Sequence, residues 1–203
     1  MRNGQAWGRS MSSETAGQAK RTGARTSVRR VLGRLKTDRR GSAAIEFTAL
    51  AIPFSLLVFA ILESCISFAG QELMTNATDD IARQLRTGQI KASTMNETAL
   101  KNLLCDRLDI MVADGCPGLE VDLKQYPTFA AAAAVRTKFT ADKEIDTTGF
   151  GVTPGPSLSK NMMRVYYRWP VITDFMRKSM SNLKGGTTLH FATVTWQNEP
   201  FDD

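Results

Sequence analysis

The sequence predicts an α+β protein in which a long N-terminal helix, membrane-spanning at first and then amphipathic, packs on a small antiparallel sheet. Three observations predict this class. A run without any charged residue extends from Phe47 to Leu62. Apolar residues then recur at every fourth position, the spacing of one helix face, as Leu73, Ala77, Ile81 and Leu85. Finally, residues 163–169 and 187–196 are rich in the β-branched and aromatic side chains that strands favour.

The apolar run is long enough to be a membrane helix. With residues 43–45 added, it approaches the roughly 20 residues needed to cross a bilayer, and Pro53 is expected to bend it. Glu46 interrupts the apolar pattern, and an ionised carboxylate at a membrane edge costs on the order of a few kcal/mol unless it is paired or snorkels. If the chain were cut after Gly41, Ser42 would become a free N-terminus one helical turn from Glu46, on the same face.

Charge is divided unequally along the chain. Residues 1–41 carry eleven Lys or Arg against two Asp or Glu, a net charge of +9, whereas residues 42–203 carry −3. A basic segment beside a single apolar helix stays cytoplasmic, which places the C-terminal part outside the cytoplasm. We therefore expect a basic, disordered cytoplasmic leader at 1–41, a transmembrane helix at 42–70 and an α+β domain at 71–203. A nucleic-acid-binding arm is disfavoured because only Trp7 interrupts the basic residues as an aromatic.

A second helix is predicted after Gly88, which acts as a stop signal for the first. Thr94 and Glu97 have the spacing of a capping box. The apolar face that follows consists of Leu100, Leu103, Leu104, Leu108 and Met111. The helix is expected to end at 115–118, where Gly, Cys, Pro and Gly follow one another.

Strands and loops are predicted for the remainder of the chain. Alternation of apolar and charged residues at 119–123 predicts a half-buried strand that ends at the Tyr126-Pro127 turn. The other expected elements are a helix or covering segment at 130–134, a loop at 149–156, and an amphipathic helix at 172–183 between the two β-rich segments.

Residues 39–47, Arg-Arg-Gly-Ser-Ala-Ala-Ile-Glu-Phe, resemble the prepilin peptidase site of type IV pilin-like proteins. They combine a basic leader, a Gly before the cut, a Glu at the fifth mature position and an aromatic residue after it. More closely, they resemble the TadE-like proteins of the tight-adherence (Flp) pilus system. The likeness continues in Pro53 and in Leu62-Glu63. It also includes the tetrapeptides Arg-Thr-Gly-Gln at 86–89 and Asn-Glu-Pro-Phe at 198–201.

This resemblance implies a function without catalysis. The protein would be a minor pseudopilin or pilus assembly protein with a pilin-like fold, a single-pass protein of a bacterial inner membrane with its C-terminal domain in the periplasm. Its processing site would be Gly41, Ser42, Glu46 and Phe47, acting as a signal. The implied partners are a prepilin peptidase, related pseudopilins, the major pilin and the assembly machinery. No cofactor, metal, nucleic acid or small-molecule substrate is expected. The sequence leaves open whether the protein enters the shaft, caps it or primes assembly.

The alternative to this processing is an ordinary secretory signal peptide. Residues 67–69, Ser-Phe-Ala, offer the small residues of a signal peptidase site, and a cut near Gly70 would yield a secreted or membrane-anchored binding or enzymatic domain. Two carboxylates disfavour it. Glu46 enters the apolar run early, and Glu63 lies where a signal core would lead into the cleavage site.

Few residues offer reactive chemistry. His190 is the single histidine of the chain, within a predicted strand, and is expected to be a packed or exposed side chain. Cys105 and Cys116 flank the end of the second helix and the turn after it, so an oxidising compartment permits a disulfide between them. Two buried free thiols are the alternative. Cys65 is expected to act as a small apolar residue of the membrane helix.

Overall fold

The computed structural model describes residue 33 and residues 42–202. The predicted leader therefore lies outside the described residues, apart from residue 33, and so does Gly41 of the predicted cleavage site. The chain divides into two compact units, Met1–Pro53 and Phe54–Asp203. All described residues of the first unit, apart from residue 33, belong to the start of one helix, and the domain architecture that follows is that of the second unit.

Helix α1 is Ser42–Arg86 and contains 45 residues, with Pro53 inside it. It ends just before Gly88, whose φ of +72° is a left-handed conformation that favours glycine, as the stop signal predicted. Helix α2 is Glu97–Leu108, preceded by a short 3₁₀ helix, Ala92–Thr94.

The prediction that Thr94 caps α2 was wrong. Asn96 is the N-cap, and its side chain accepts a hydrogen bond of 2.9 Å from the backbone N–H of Ala99. Asn96 has the extended backbone that aims a short side chain at the first turn of a helix. Thr94 lies within the 3₁₀ turn, where its hydroxyl donates to the carbonyl oxygen of Lys91 instead.

The other elements are short helices and strands. They are β1 (Leu119–Tyr126), α3 (Phe129–Ala133), β2 (Val152–Thr153), β3 (Lys160–Pro170), α4 (Asp174–Met180), a 3₁₀ helix (Lys184–Gly186) and β4 (Thr187–Gln197). In the described part of the chain, these strands form one sheet in the order β2-β1-β3-β4. β1 with β3 and β3 with β4 are antiparallel, whereas β2 pairs parallel with β1.

The predicted α+β class, with its long helix and small sheet, is confirmed, and it is consistent with a pilin-like fold. Three further details differ from the prediction. Helix α2 ends at Leu108, so Met111 and the predicted end at 115–118 lie beyond it. The expected loop at 149–156 contains β2, whose parallel pairing with β1 makes the sheet mixed. The N–H of Leu123 donates a hydrogen bond of 2.8 Å to the carbonyl oxygen of Gly151 at this edge. The expected helix at 172–183 is shorter, since regular structure ends at Met180.

The sheet is covered on both faces. Alternate residues of β1, β3 and β4 join α1 and α2 in the main core, among them Leu123, Met163, Val165 and Trp196. The opposite face of β3 contributes Arg164 and Tyr166. It is covered by the 127–151 segment, since Tyr166 stacks on Phe150 and bonds to Thr137. The core therefore fixes the C-terminal half of α1 against the sheet.

Candidate processing and assembly site

The N-terminal turn of α1 brings together two predicted site residues. The hydroxyl of Ser42 donates a hydrogen bond of 2.7 Å to Oε1 of Glu46, one helical turn away. Helical side chains lean toward the N-terminus, so the Glu46 carboxylate extends back over residue 42. Phe47 is 73% exposed beside this pair. The start of α1 thus presents a carboxylate next to the residue that would follow a cut after Gly41.

An exposed apolar surface follows along the helix. α1 contains one candidate membrane span, with a mean hydropathy of 2.2 over 18 residues, none of them buried against the protein. Its large side chains, such as Phe54, Leu57 and Phe59, are 58–66% exposed. An apolar helix that buries none of these side chains against the protein has the surface expected of a lipid-facing segment.

Glu63 marks the point where α1 begins to contact the sheet domain. Its carboxylate accepts hydrogen bonds from the backbone N–H of Ile172 at 2.5 Å, from the N–H of Thr173 at 3.2 Å, and from the Thr173 hydroxyl. The residue is only 8% exposed. Three donors thus satisfy a carboxylate whose burial would otherwise cost free energy. The same hydrogen bonds hold the Ile172-Thr173 dipeptide, which leads into α4, against α1. In the sequence, Glu63 belongs to the Leu62-Glu63 motif and disfavours a signal peptide, but nothing in the local pattern identifies its distant partners.

A second polar contact follows one turn later. The hydroxyl of Ser67 lies 3.0 Å from Nε2 of His190 on β4, and the His190 ring stacks on Trp169 with centroids 5.0 Å apart. Burial lowers the pKa of His190 to about 4, so the imidazole is neutral at physiological pH. His190 is therefore a packed side chain.

Gln71 continues this contact face. Its side-chain amide donates to the carbonyl oxygen of Phe191 and accepts from the N–H of the same residue, at 2.9 and 3.2 Å. The amide group thus imitates a neighbouring strand beside β4, an exposed edge of the sheet in the described residues. The contact face of α1 begins with polar residues and becomes mainly apolar from Met74 onward, with Thr78 as a buried polar residue among them.

The tetrapeptides at 86–89 and 198–201, which lie at opposite ends of the domain in sequence, contact each other in the structure. Arg86 pairs with Glu199 at 3.2 Å, and the N–H of Glu199 donates to the carbonyl oxygen of Arg86 at 2.9 Å. Gly88 lies so close to the Phe201 ring that a Cβ there would be 2.6 Å from Cγ. We call this contact the C-terminal clasp. It fixes the C-terminal end of α1 to the sheet domain, whereas Glu63 fixes the part of α1 that follows the apolar span.

The remaining predicted site residues are the cysteines. Cys105 of α2 and Cys116 of the following turn form a disulfide in the structure, with Cα atoms 5.8 Å apart. Cys65 is a free, exposed cysteine of α1. Among residues 42–202 no group of three or more His, Cys, Asp or Glu side chains could hold a metal ion.

Comparison with known proteins identifies one similarity. Residues 41–83 match the family model described as TadE-like protein. The predicted resemblance is thereby confirmed over residues 41–83, which include the residues of the predicted processing site, the apolar run and the contact face up to Arg83, while the C-terminal clasp extends outside the match. No curated protein and no solved structure matches the chain.

Proposed function

We propose that this protein is a minor pseudopilin or assembly protein of a tight-adherence pilus, acting without catalysis in the inner membrane of a bacterium. One observation carries this proposal. The TadE-like match begins at Gly41 and contains the Ser42–Glu46 pair and the apolar run. A match that covers the processing signal and the span is informative about function, because function in such proteins depends on sites more than on the fold.

Processing after Gly41 is the first step of the proposed function. Gly41 has no side chain to obstruct a peptidase. The cut would convert Ser42 into an α-amine with a pKa of roughly 8, largely cationic at neutral pH. The Glu46 carboxylate, already in contact with residue 42, is in position to pair with that cation.

Pairing gives Glu46 a role in assembly. The amine can belong to the same chain or to a neighbouring subunit, and the second arrangement would set the register between subunits. Net stabilisation from such a pair is modest because desolvation of both charges offsets much of their attraction. The alternative is a Glu46 that only snorkels to the headgroups.

The charge division supports the topology. With +9 on residues 1–41 and −3 on residues 42–203, we propose that the leader faces the cytoplasm and that the sheet domain faces the periplasm. A reporter that works only outside the cytoplasm, fused after residue 203, should then be active. The same fusion to a reporter that requires the cytoplasm should be silent, and the reverse result would refute the topology.

Signal peptidase cleavage near Gly70 is disfavoured by the packing of α1. A cut after Ala69 would separate Glu63 from the Ile172-Thr173 dipeptide and Ser67 from His190. Both contacts satisfy buried polar groups of the sheet domain, so the released domain would lose them.

Two substitutions test the proposal. Gly41→Trp should leave an uncut precursor, whereas Gly33→Trp, a control within the leader, should be processed normally. The mass of the mature chain decides this, since processing predicts a start at Ser42. Glu46→Ala should insert and be cut yet fail to support piliation, with Glu72→Ala as the matched control on an exposed part of α1. Normal processing of Gly41→Trp would refute the site, and normal pili with Glu46→Ala would refute the pairing role.

A further inference from the structure

We infer that the sheet domain carries a second membrane contact, an apolar rim that rests in the headgroup layer of the bilayer around α1. The membrane rim consists of Ile66, Ile110, Ile172 and Phe175. The inference rests on the proposed function only in requiring that α1 spans a membrane. It adds that α4 and the turn after α2 also bind the lipid surface.

The depth of the rim follows from Glu63. This residue comes directly after Leu62, the last residue of the uncharged run, and its carboxylate accepts from the N–H of Ile172 at 2.5 Å. Because helical side chains lean toward the N-terminus, the carboxylate is level with the last turn of that run. With residues 43–45 added, the run that ends at Leu62 has roughly the 20 residues that a hydrocarbon core requires. Ile172 therefore lies where the hydrocarbon core meets the headgroups.

Both ends of α4 are at this depth. Its N-terminal side is bonded to Glu63, and Met180 at its C-terminal end accepts a contact of 3.7 Å from the hydroxyl of Ser64. Since Glu63 and Ser64 are consecutive residues of α1, the α4 helix crosses α1 at nearly constant depth. A short helix in that orientation lies in the plane of the interface.

The exposed side chains of the rim are apolar. Ile172 is 77% exposed, Phe175 66% and Ile110 81%. Ile66, Ile110 and Ile172 also line one groove of about 560 Å³ together with Trp169 and Pro170, so three of the four rim residues are contiguous. Apolar patches of this kind, continuous with an exposed apolar helix, mark a membrane or protein contact.

The composition of α4 favours lipid as the occupant. Residues 172–186 carry Arg177, Lys178 and Lys184 against Asp174. Arg177 pairs with Asp174 at 2.7 Å and Lys184 lies 3.9 Å from Asp142, so Lys178 is the basic side chain of this segment that stands beside the apolar residues without an ion pair in the described part of the chain. Aromatic and aliphatic residues beside basic ones form the pattern of interfacial segments on anionic phospholipid. The predicted occupant is therefore the outer headgroup layer of the same membrane that α1 crosses.

The test uses the full-length chain in vesicles of phosphatidylethanolamine and phosphatidylglycerol. In a Cys65→Ser background, single cysteines at Ile172, Phe175, Leu158 or Leu57 are labelled with an environment-sensitive fluorophore. Nitroxide-bearing lipids then report the depth of each label. Leu158 is the matched control, because it is 57% exposed and lies beside the C-terminal clasp, where its carbonyl oxygen accepts from Gln197. Leu57 reports insertion of the span.

Labels at residues 172 and 175 should be quenched by nitroxides near the headgroup at least about threefold more than the label at 158. Quenching at 57 but equal quenching at 172, 175 and 158 would overturn the rim and leave the proposed function intact. A blue-shifted label at 172 without lipid quenching would show that a protein covers the rim, which also overturns it. An unquenched label at 57 would overturn the span, and the rim with it. Near-ultraviolet circular dichroism of each variant verifies folding.

Discussion

Gly70 of α1 lies directly against the indole ring of Trp169 on β3. A Cβ at residue 70 would be 2.5 Å from Cζ3 of that ring, closer than real contacts allow. Trp169 is held from its other sides by the stacked His190 ring and by Tyr167, edge-on at a centroid distance of 6.2 Å. The close approach of α1 to the sheet therefore depends on the missing side chain at residue 70.

Gly70→Ala should destabilise the protein. Alanine normally gains about 1 kcal/mol over glycine inside a helix, but here the added methyl group must displace a buried indole, and overpacking typically costs about 1–3 kcal/mol. We expect a net loss, measured as a lower midpoint of thermal unfolding in detergent. The exposed neighbour Ala69, changed to Ser, should leave the midpoint nearly unchanged. A higher midpoint for Gly70→Ala would contradict the packing described.

Glu63→Ala should release α4 from α1. The N–H groups of Ile172 and Thr173 would lose their acceptor, and because these donors are only partly buried the cost is at the lower end of the roughly 1–3 kcal/mol of unsatisfied buried donors. Faster tryptic cleavage after Arg177 and Lys178 is the expected result. Glu63→Gln keeps one carbonyl acceptor and should be cleaved at an intermediate rate. Equal cleavage of Glu63→Ala and the unchanged protein would exclude an anchoring role for this carboxylate.

Local pattern predicted most of the secondary structure, because periodicity and turn residues act over a few positions. The strands around Val165 and Val194 and the end of α1 before Gly88 were visible in this way. Contacts between distant residues were not. The pairing of Glu63 with Thr173 joins positions 110 apart, and no spacing rule relates them. The resemblance includes both segments of the C-terminal clasp, but only the fold shows that Gly88 and Phe201 are in contact.

The Cys105–Cys116 bond is predicted to form in the periplasm. Closing this small loop stabilises the fold by about 2–3 kcal/mol in the chain-entropy description. Thiol labelling of unreduced, unfolded protein should therefore modify Cys65 alone. Labelling after reduction should modify three cysteines, and a Cys105→Ser, Cys116→Ser variant gives the same count before and after reduction. Three labelled cysteines without reductant would show two free thiols instead of a bridge.

The buried His190 ring is expected to make the protein less stable in mild acid. Burial lowers its pKa in the folded protein to about 4, against an ordinary value of 6.5. Between these values the unfolded chain binds a proton that the folded chain does not, so the stabilisation is complete above pH 6.5 and is lost as the pH falls toward 4. The full difference corresponds to about 3 kcal/mol, as an order of magnitude.

The stabilisation that carboxylates with a lowered pKa provide is lost in a lower pH range than that of His190. A hydrogen bond from Arg83 lowers the pKa of Asp80, and one from Thr148 lowers that of Asp146, so their stabilisation is present above the ordinary value of 3.8 and is lost only below it.

Unfolding midpoints measured from pH 7 to pH 4 should fall for the unchanged protein. His190→Gln removes the titrating ring, so its midpoint should change much less over the same interval. Its stability at pH 7 should be lower than that of the unchanged protein, because the stacking on Trp169 is lost. Parallel curves for the two proteins would show that His190 is not the group whose protonation destabilises the fold.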